Sequence, residues 1–495
     1  MSEPLHLTND PQTLATLRGV LRAANFTPEG VLNTIGVADS AAIKESDVLL
    51  LLHRTKNGTP LETLIRLFLM EVSVDLHSLE HAIAPMTIAE WREMGLIETE
   101  GTQARAAMKL LPFQDMVIAY DPPARLLTAE GEDYVMGVAG SSITLATMTI
   151  SQQSKATLDL GTGCGIQGFM AARHSDRVVA VDRNPRAVAI ANFNARLNGI
   201  ANLECREGDL FQPVDGMTFD LIISNPPFVI SPESRYIYRD SGMAGDEVCR
   251  RIVREAPRFL NPGGFCQILC NWAEFANQDW RERLEGWFAG SGCDVWVMRN
   301  QSRDVATYAA TWLRHTEKLE TENLDERFAE WLEYYRESGI ERVGGGVITM
   351  RRNGSGSGWF RADDGIETMY GPGGECILAG FSAQDFLEKA DDAGLLDASF
   401  SLSPDARLVR QMIPSGNEWI DEVTELHLAR GVSHRGNIDP YMERLLIGCD
   451  GTRPLKVLAG EMSESLGVGP EKLEPELCRM VRHLVARGYL LLPSG

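Results

Sequence analysis

The stretch TLDLGTGCGIQGFMAARH, residues 157–174, restricts the fold more than any other part of the chain. An apolar run carrying Asp159 leads into glycines at 161, 163 and 165, and a helical pattern begins at once. Glycine reaches backbone angles closed to other residues and lets a ligand approach the main chain. Strand, glycine turn and helix in this order therefore predict a β–α unit whose turn faces a ligand. Short apolar runs at RVVAVD, FDLIISN, FCQILCNW and DVWVMR continue the alternation toward Arg352. The pattern predicts an α/β domain, a parallel sheet flanked by helices, over residues 121–352.

A glycine turn alone is shared by dinucleotide folds, methyltransferases and some purely structural turns. The next strand sharpens it. RVVAVD ends in Asp182, 17 residues past Gly165 and followed by Arg183. An acid at the tip of the second strand is placed to accept hydrogen bonds from both ribose hydroxyls of an adenosine ligand. The competing role for Asp182 is N-cap of the helix NPRAVAIANFNARLNG. At the third strand end, REGDLF supplies Asp209 and Leu210, a carboxylate and an apolar side chain for the amine edge and face of an adenine.

The fourth strand, FDLIISNPPF, places Asn225, Pro226, Pro227 and Phe228 at its carboxyl end, where open α/β sheets hold their ligands. The two prolines stiffen the turn and remove two N–H donors. The tetrapeptide therefore presents acceptors, the Asn225 side-chain oxygen and the Pro226 carbonyl. Two acceptors converging on an NH2 group orient a conjugated, weakly nucleophilic nitrogen so that its lone pair turns toward an electrophile. Phe228 adds a flat face for a planar amide or base. Orientation and stabilisation of developing charge would supply most of the rate, with little need for a strong base.

In this order and spacing, DLGTGCG, VVAVD, GDLF and NPPF resemble a class I S-adenosylmethionine-dependent methyltransferase of the amino-methylating group, whose hallmark is (D/N/S)PP(Y/F). The resemblance implies a seven-stranded, Rossmann-like fold and S-adenosylmethionine as cofactor. It implies contacts to the methionine part from Asp159 and the turn Gly161, Thr162, Gly163 and Gly165. Asp182, with Arg183 beside it, would hold the ribose, and Asp209 and Leu210 the adenine. Asn225 to Phe228 would hold the target amino group, with Asn225 also bordering the cofactor. Beyond NPPF, YRDSGMAGDEVCRRIVREAPRFLNPGGFCQ is similar to the HemK-type protein-glutamine N5-methyltransferases. The likeness covers about residues 125–300. Phe228 stands where HemK proteins carry tyrosine, and Phe is frequent in rRNA guanine-N2 methyltransferases, so both acceptor classes stay open.

Residues 1–120 and 353–495 lie outside that likeness. In the first, TPLETLIRLFLMEV and TIAEWREMGLIE read as capped helices headed by Thr59 and Thr87, followed by the strand-like runs AAMKLLPF and DMVIAYD. Helices leading into a hairpin are the pattern of a winged helix, or of a helical cap packed on the next domain. LDERFAEWLEYYRESG reads as an inserted amphipathic helix, VGGGVITMRR as a last strand and NGSGSG as a flexible boundary. DPYMERLLIGCDG through VRHLVARGYLLLP again reads as helices and a strand, a second winged-helix-like module.

Charge bears on the partner. The net charge is −22, yet residues 151–300 hold only −2, against −9 for 1–150, −12 for 301–450 and +1 for the rest. The acidity belongs to the flanks, which would repel nucleic acid and suit a basic protein. Nine cysteines without a CxxC pair suggest neither a disulfide framework nor a zinc site. MSEPLHLTND lacks the basic and apolar regions of a signal peptide. No apolar run reaches the ~18–20 residues of a spanning helix, so a cytoplasmic protein without membrane contact is expected.

The favoured reading is a methyltransferase acting on a protein glutamine. The second is a nucleobase N-methyltransferase, for which the winged-helix-like flanks argue, and the third a non-catalytic cofactor-binding scaffold. The flanks would bind a protein partner or nucleic acid. Lesser candidates are Thr144 and Thr147 at the cofactor entrance, and Arg235, Tyr236, Tyr238 and Arg239 as holders of an RNA or peptide backbone. Cys164 reads as a small residue rather than a nucleophile.

Overall fold

A computed structural model of the chain describes residues 7–37, 48–127, 131–232, 236–240, 242–316, 323–354, 356, 358–364, 369–370, 373–432 and 435–492. The chain divides into two compact units, one comprising residues 1–146, 152–297 and 302–362, the other 147–151, 298–301 and 363–495.

The first unit begins with helices at Pro11–Ala23, Pro28–Ile35, Val48–Arg54 and Pro60–Leu64. Thr59 and Glu62 cap each other reciprocally, as do Thr87 and Glu90 ahead of the helix Ile88–Glu93. Two hairpins follow rather than one. Ile97–Glu100 and Gln103–Ala106 join Val74–Asp75 in a small antiparallel sheet, and Lys109–Phe113 pairs with Met116–Tyr120. Only the second was expected. The hydrophobic core of these helices, from Leu14 and Leu17 through Trp91 and Ile118, continues without a break into Ile166, Phe169, Ile190 and Phe193 of the central domain. This flank is packed onto its neighbour.

Among the described residues the central sheet has eight strands. In chain order they are β1 Ser154–Leu160, β2 Ser175–Asp182, β3 Leu203–Glu207, β4 Phe219–Ser224, β5 Leu260–Phe275, β6 Cys293–Asp304, β7 Ile340–Arg352 and β8 Phe360–Asp363. Across the sheet the order is β8-β6-β7-β5-β4-β1-β2-β3. Strands β5, β4, β1, β2 and β3 run parallel, and β7 is antiparallel to β5. The reversal from β4 to β2 on either side of β1 creates a crevice at the carboxyl ends of the strands. The seven-stranded expectation is corrected: beyond the NGSGSG stretch the chain returns, with Trp359 accepting from Val295 N at 2.9 Å, and β8 covers the edge that β6 would otherwise expose.

The helices of this domain are α1 Gly140–Met148, α2 Ile166–Ala171, α3 Pro185–Leu197, α4 Glu247–Glu255, α5 Trp280–Glu285, α6 Val305–Thr316 and α7 Leu324–Ser338. The inserted helix predicted from LDERFAEWLEYYRESG is α7, closed by Gly339 in the left-handed region. Helix α3 starts as its sequence dictates, with Asn184 as N-cap and Pro185 at the first helical position. It also carries the joint to the N-terminal flank. Asn194 Nδ2 donates to the Ala119 carbonyl at 2.9 Å and its Oδ1 accepts from Ala119 N at 2.8 Å. One turn later Asn198 repeats the pattern on Val117, at 2.8 and 2.9 Å.

In the second unit, helices Gly373–Lys389, Asp392–Asp397, Pro440–Gly448, Leu455–Leu466 and Pro470–Ala486 enclose a core around Leu395, Phe400, Leu458 and Val481. Strands Ala406–Ser415, Glu418–Leu428 and Arg435–Asn437 form an antiparallel sheet in that order. Its long hairpin was not expected: nearly every residue of Ala406–Ser415 is exposed, so no inward face marks it in the sequence. The predicted terminal strand exists as Leu490–Leu491, paired with Ser401–Leu402. No helix among the described residues is long and apolar enough to cross a membrane.

Asn194 is fully buried, and replacing it strands at least three main-chain groups at about 1–3 kcal/mol each. Asn194→Ala should lower unfolding free energy in urea by about 3 kcal/mol or more, and the half-buried Asn198→Ala by less than half as much. Equal losses would show that the joint to the flank lies elsewhere.

Candidate active site

The carboxyl ends of β1, β2 and β4 and the loop after β3 surround an open cavity of about 1040 Å³ measured to its mouth, large enough for a cofactor. Its floor is the glycine turn. Gly161, Gly163 and Gly165 all have positive φ, +73°, +54° and +97°, and a Cβ on Gly165 would lie 2.2 Å from the Phe169 ring. No other residue fits there.

Asp159 sits behind this turn, fully buried. Its Oδ2 accepts from Thr162 Oγ1 at 2.6 Å and from Gly168 N at 2.9 Å. Its Oδ1 has no partner. Burial pushes the carboxyl up to about 6, against the pull of those two hydrogen bonds. Asp182 ends β2 at the cavity wall, where Oδ2 accepts from Gly163 N and Oδ1 from Asn184 N, both at 2.9 Å. Burial raises this carboxyl as well. The helix-capping alternative for Asp182 fails, because Asn184 is the cap. Asp182 instead clasps the turn and leaves acceptor capacity on both oxygens.

Asp209 and Leu210 line the cavity, with Leu210 held at φ +46°. Asp209 is paired through Oδ2 with Arg251 of α4 at 2.9 Å. Arg183 lines the same wall and reaches the Asp240 carbonyl at 3.3 Å. On the fourth strand end, Asn225 and Pro227 line the cavity, and Pro226 and Phe228 do not. Asn225 Nδ2 donates to Ser141 Oγ at 3.3 Å, and its Oδ1, although buried, has no partner. Phe228 meets Trp312 edge-on, ring centroids 6.3 Å apart at 71°.

Several wall residues carry no sequence motif. Tyr134, Val135, Met136 and Gly137 form one side, fastened by the buried Asp121. Its carboxylate accepts from Val135 N at 2.9 Å and takes Arg186 Nε and Nη2 from α3. A Cβ on Gly137 would lie 2.6 Å from the Tyr120 ring, so the glycine in VMG was the available signal. Tyr238 stacks edge-on against Tyr134 at 5.2 Å, and burial pushes its phenol up to about 12, which keeps it neutral. Gln167 lines the floor, its Nε2 on the Ser142 carbonyl at 2.8 Å and its Oε1 without a partner.

Some lesser expectations fail. From α1 it is Ser142, not Thr144 or Thr147, that borders the cavity. Arg239 is closed in a buried ion pair with Asp240, at 2.7 and 2.9 Å, and Tyr236 is buried, so neither is offered to a peptide or RNA backbone. Arg235 lies outside the described residues. Burial pushes the Cys164 thiol up to about 12, as suits a small packing residue.

On the cavity wall two buried acceptors lack donors, Gln167 Oε1 and Asn225 Oδ1, and Asp159 Oδ1, behind the glycine turn and outside the cavity lining, lacks one as well. Such atoms cost free energy unless a ligand supplies N–H or O–H groups. An ammonium, two ribose hydroxyls and an adenine amine are all donors, so S-adenosylmethionine fits the chemistry of this set. The fold, the glycine cradle and the Asn-Pro-Pro-Phe strand end together define a methyltransferase.

Comparison with known proteins agrees. Residues 138–289 match the Methyltransferase small domain family, while 23–107 and 379–493 match two domains of unknown function. The release factor glutamine methyltransferase of Xylella fastidiosa is 30% identical over 205 residues, 36% of this chain and 74% of its own length. That of Geobacter sulfurreducens is 39% identical over 159 residues, 29% of this chain and 54% of its own. A ribosomal RNA small subunit methyltransferase C from Alcanivorax borkumensis is 31% identical over 134 residues, 27% and 38% of the two chains. The chain belongs to the class I methyltransferases of the protein-glutamine N5 group and is an S-adenosylmethionine-dependent enzyme. It spans only about half the length of the Geobacter relative, and its own substrate is taken up below.

A carboxyl held near 6 in the folded chain and near 3.8 unfolded favours folding fully below pH 3.8, and this contribution fades as pH rises through about 6. Above that, the buried Asp159 charge costs on the order of 3 kcal/mol. Asp159→Asn should therefore raise the melting temperature of the ligand-free protein at pH 7.5, with a smaller gain at pH 5. An equal effect at the two pH values would show that the charge is not what burial penalises.

Proposed function

We propose that the chain transfers the methyl group of S-adenosylmethionine to the side-chain amide nitrogen of a glutamine in a protein. The observation that carries this reading is the buried, unpartnered Oδ1 of Asn225 on the wall of the cofactor cavity. Ser141 Oγ accepts from the amide nitrogen of the same side chain at 3.3 Å, which supports the oxygen as the end presented to a substrate. Asn225 Oδ1 and the Pro226 carbonyl then accept the two N–H groups of the glutamine amide. Their pull localises electron density on a nitrogen otherwise delocalised into its carbonyl, and turns the lone pair toward the methyl donor. Phe228 bounds the planar amide. When bound, the cofactor supplies an electrophilic sulfonium methyl group. Tyr134 and Tyr238 exclude water from that side as neutral phenols, since burial raises both.

The remaining assignments follow the same logic. Asp182 takes the ribose hydroxyls, with Arg183 beside it. Asp209, held by Arg251, and Leu210 take the adenine. Asp159 and Gly161, Thr162, Gly163 and Gly165 take the methionine end. Relatives that methylate release factors support a protein acceptor, and the nine unpaired cysteines support a reducing, cytoplasmic setting. The helix Pro60–Leu64, strand Val74–Asp75, helices Leu76–Ile83 and Ile88–Glu93 and hairpin of residues 97–106 support a winged-helix-like reading of the N-terminal flank, and domain limits of 1–120, 121–352 and 353–495 accompany it, with Phe360–Asp363 returning to the central sheet. A nucleobase acceptor is the competing reading, favoured by Phe228. Tritiated cofactor incubated with fractionated lysate separates the two: label released by protease supports glutamine transfer, and label released by nuclease overturns it.

Two substitutions divide the roles. Asp182→Ala should weaken cofactor binding by about tenfold or more in calorimetry, the equivalent of one lost hydrogen bond to a charged group. Asn225→Ala should lower turnover about 100-fold and leave cofactor affinity within about threefold. A matching loss of cofactor affinity in both would contradict the division.

A further inference from the structure

The C-terminal unit holds a second cavity, about 740 Å³ to its mouth, between the helix Pro470–Ala486 and the strand Arg435–Asn437. Its floor is apolar, built by Leu426, Ile438, Met480 and Leu484, and its rim is basic, with Arg479, His483 and Arg487. These three recur at every fourth position, so they form one stripe along the helix. The two arginines that end the stripe are not committed to the interior of the fold. Arg482, on the adjacent face, is used internally by the Leu387 and Ala390 carbonyls and Asp392. Arg487 has no carboxylate partner among the described residues, and Arg479 meets only Glu476 in an exposed pair at 2.6 Å, which costs little to exchange. A basic rim is conspicuous in a chain of net charge −22.

Opposite the stripe, Arg435–Asn437 is the last strand of its sheet, and no strand among the described residues pairs with its outer edge. Gly436 lines the cavity, and no atom lies within 4 Å of where its Cβ would stand. A sheet edge, an apolar floor and a cationic rim are the three elements that recognise an extended peptide: backbone, anchor side chain and charge. The spacing is specific. Arg479 and Arg487 are eight residues apart, about 12 Å along a helix, and two carboxylates four residues apart on one face of an extended chain span about 13 Å. We infer that this groove binds an extended acidic peptide of the pattern acid–x–apolar–x–acid, the apolar side chain on the floor and the acids on the arginines. This site is independent of methyl transfer.

An array of heptapeptides with Asp or Glu two residues either side of a central Leu or Phe, with Lys-for-acid and Ser-for-apolar counterparts, tests it on the full chain. The acidic apolar peptides should be retained, and both counterparts should bind at least tenfold more weakly. Binding should also weaken as salt rises. Gly436→Leu fills the groove at a position outside the left-handed region and should cut binding tenfold or more with an unchanged melting temperature. Arg487→Glu should do the same through charge. Retention of no peptide, or binding indifferent to peptide charge or to both substitutions, overturns the proposal. Binding of laurate in place of any peptide overturns it too, and assigns the groove to a small anionic amphiphile. The readout is binding alone, so its failure leaves the methyl-transfer reading untouched.

Discussion

The side-chain amide of Asn194 ties three parts of the structure together. It closes the edge of the hairpin strand Met116–Tyr120 as a peptide group would, one donor and one acceptor on Ala119. The same nitrogen donates to the Cys164 carbonyl inside the glycine turn at 2.9 Å. Residues four apart on a helix rise about 6 Å, close to the two-residue repeat of a strand at about 6.6 Å. Asn194 and Asn198 therefore meet Ala119 and Val117 in register, and two helical side chains stand in for a missing strand. The N-terminal flank is thereby part of the scaffold of the glycine turn. Two residues beyond Ala119, Asp121 fastens the opposite wall of the cavity through Val135 and Arg186.

The same small region concentrates unfavourable electrostatics. Asp159 and Asp182 are both raised by burial, and the Asp182 charge adds to the cost at Asp159. Both are held by backbone N–H groups, and Asp159 also by Thr162. The neighbouring Arg183 pulls the Asp182 carboxyl down, and burial outweighs it. The arrangement sets aside stability for binding, the usual place where local rules of folding are broken.

How far this could be read in the sequence follows from what each feature depends on. The strands and the glycine turn depend on local pattern, so TLDL, RVVAVD and FDLIISN stand where they were expected, and the Asp182 and Asn225 positions come together at one cavity. The Thr59 and Thr87 caps are equally local. Asp121, Tyr134, Gln167 and Asn194 act through partners tens of residues away, and nothing in their immediate neighbours marks them. The eighth strand is hidden for a related reason: FRAD is short and follows NGSGSG, whose composition reads as a linker, although the chain beyond it returns to the sheet edge. Arg239 misleads in the other direction. Beside two tyrosines it has the composition of a binding loop, and only the fold shows Asp240 neutralising it in the interior.

That buried pair also helps to brace the Asn225 strand end. Orientation helps catalysis only if the acceptors are already fixed when the substrate arrives, and the two residues after Phe228 are fixed from several sides. Val229 N donates to the Arg239 carbonyl at 3.3 Å. Ile230 N donates to Tyr308 Oη at 3.2 Å, and its carbonyl accepts from Tyr335 Oη at 2.7 Å. Tyr308 lies on α6 and Tyr335 on α7, whose aromatic cluster with Trp331 also carries the Arg239 guanidinium, 5.6 Å over the Trp331 ring. The insert between β6 and β7, legible in sequence only as an amphipathic helix, is thus the buttress of the Asn225 strand end. Its buried face is spent on holding main chain, so the proline carbonyl and the asparagine oxygen proposed to meet an amide sit on a braced turn.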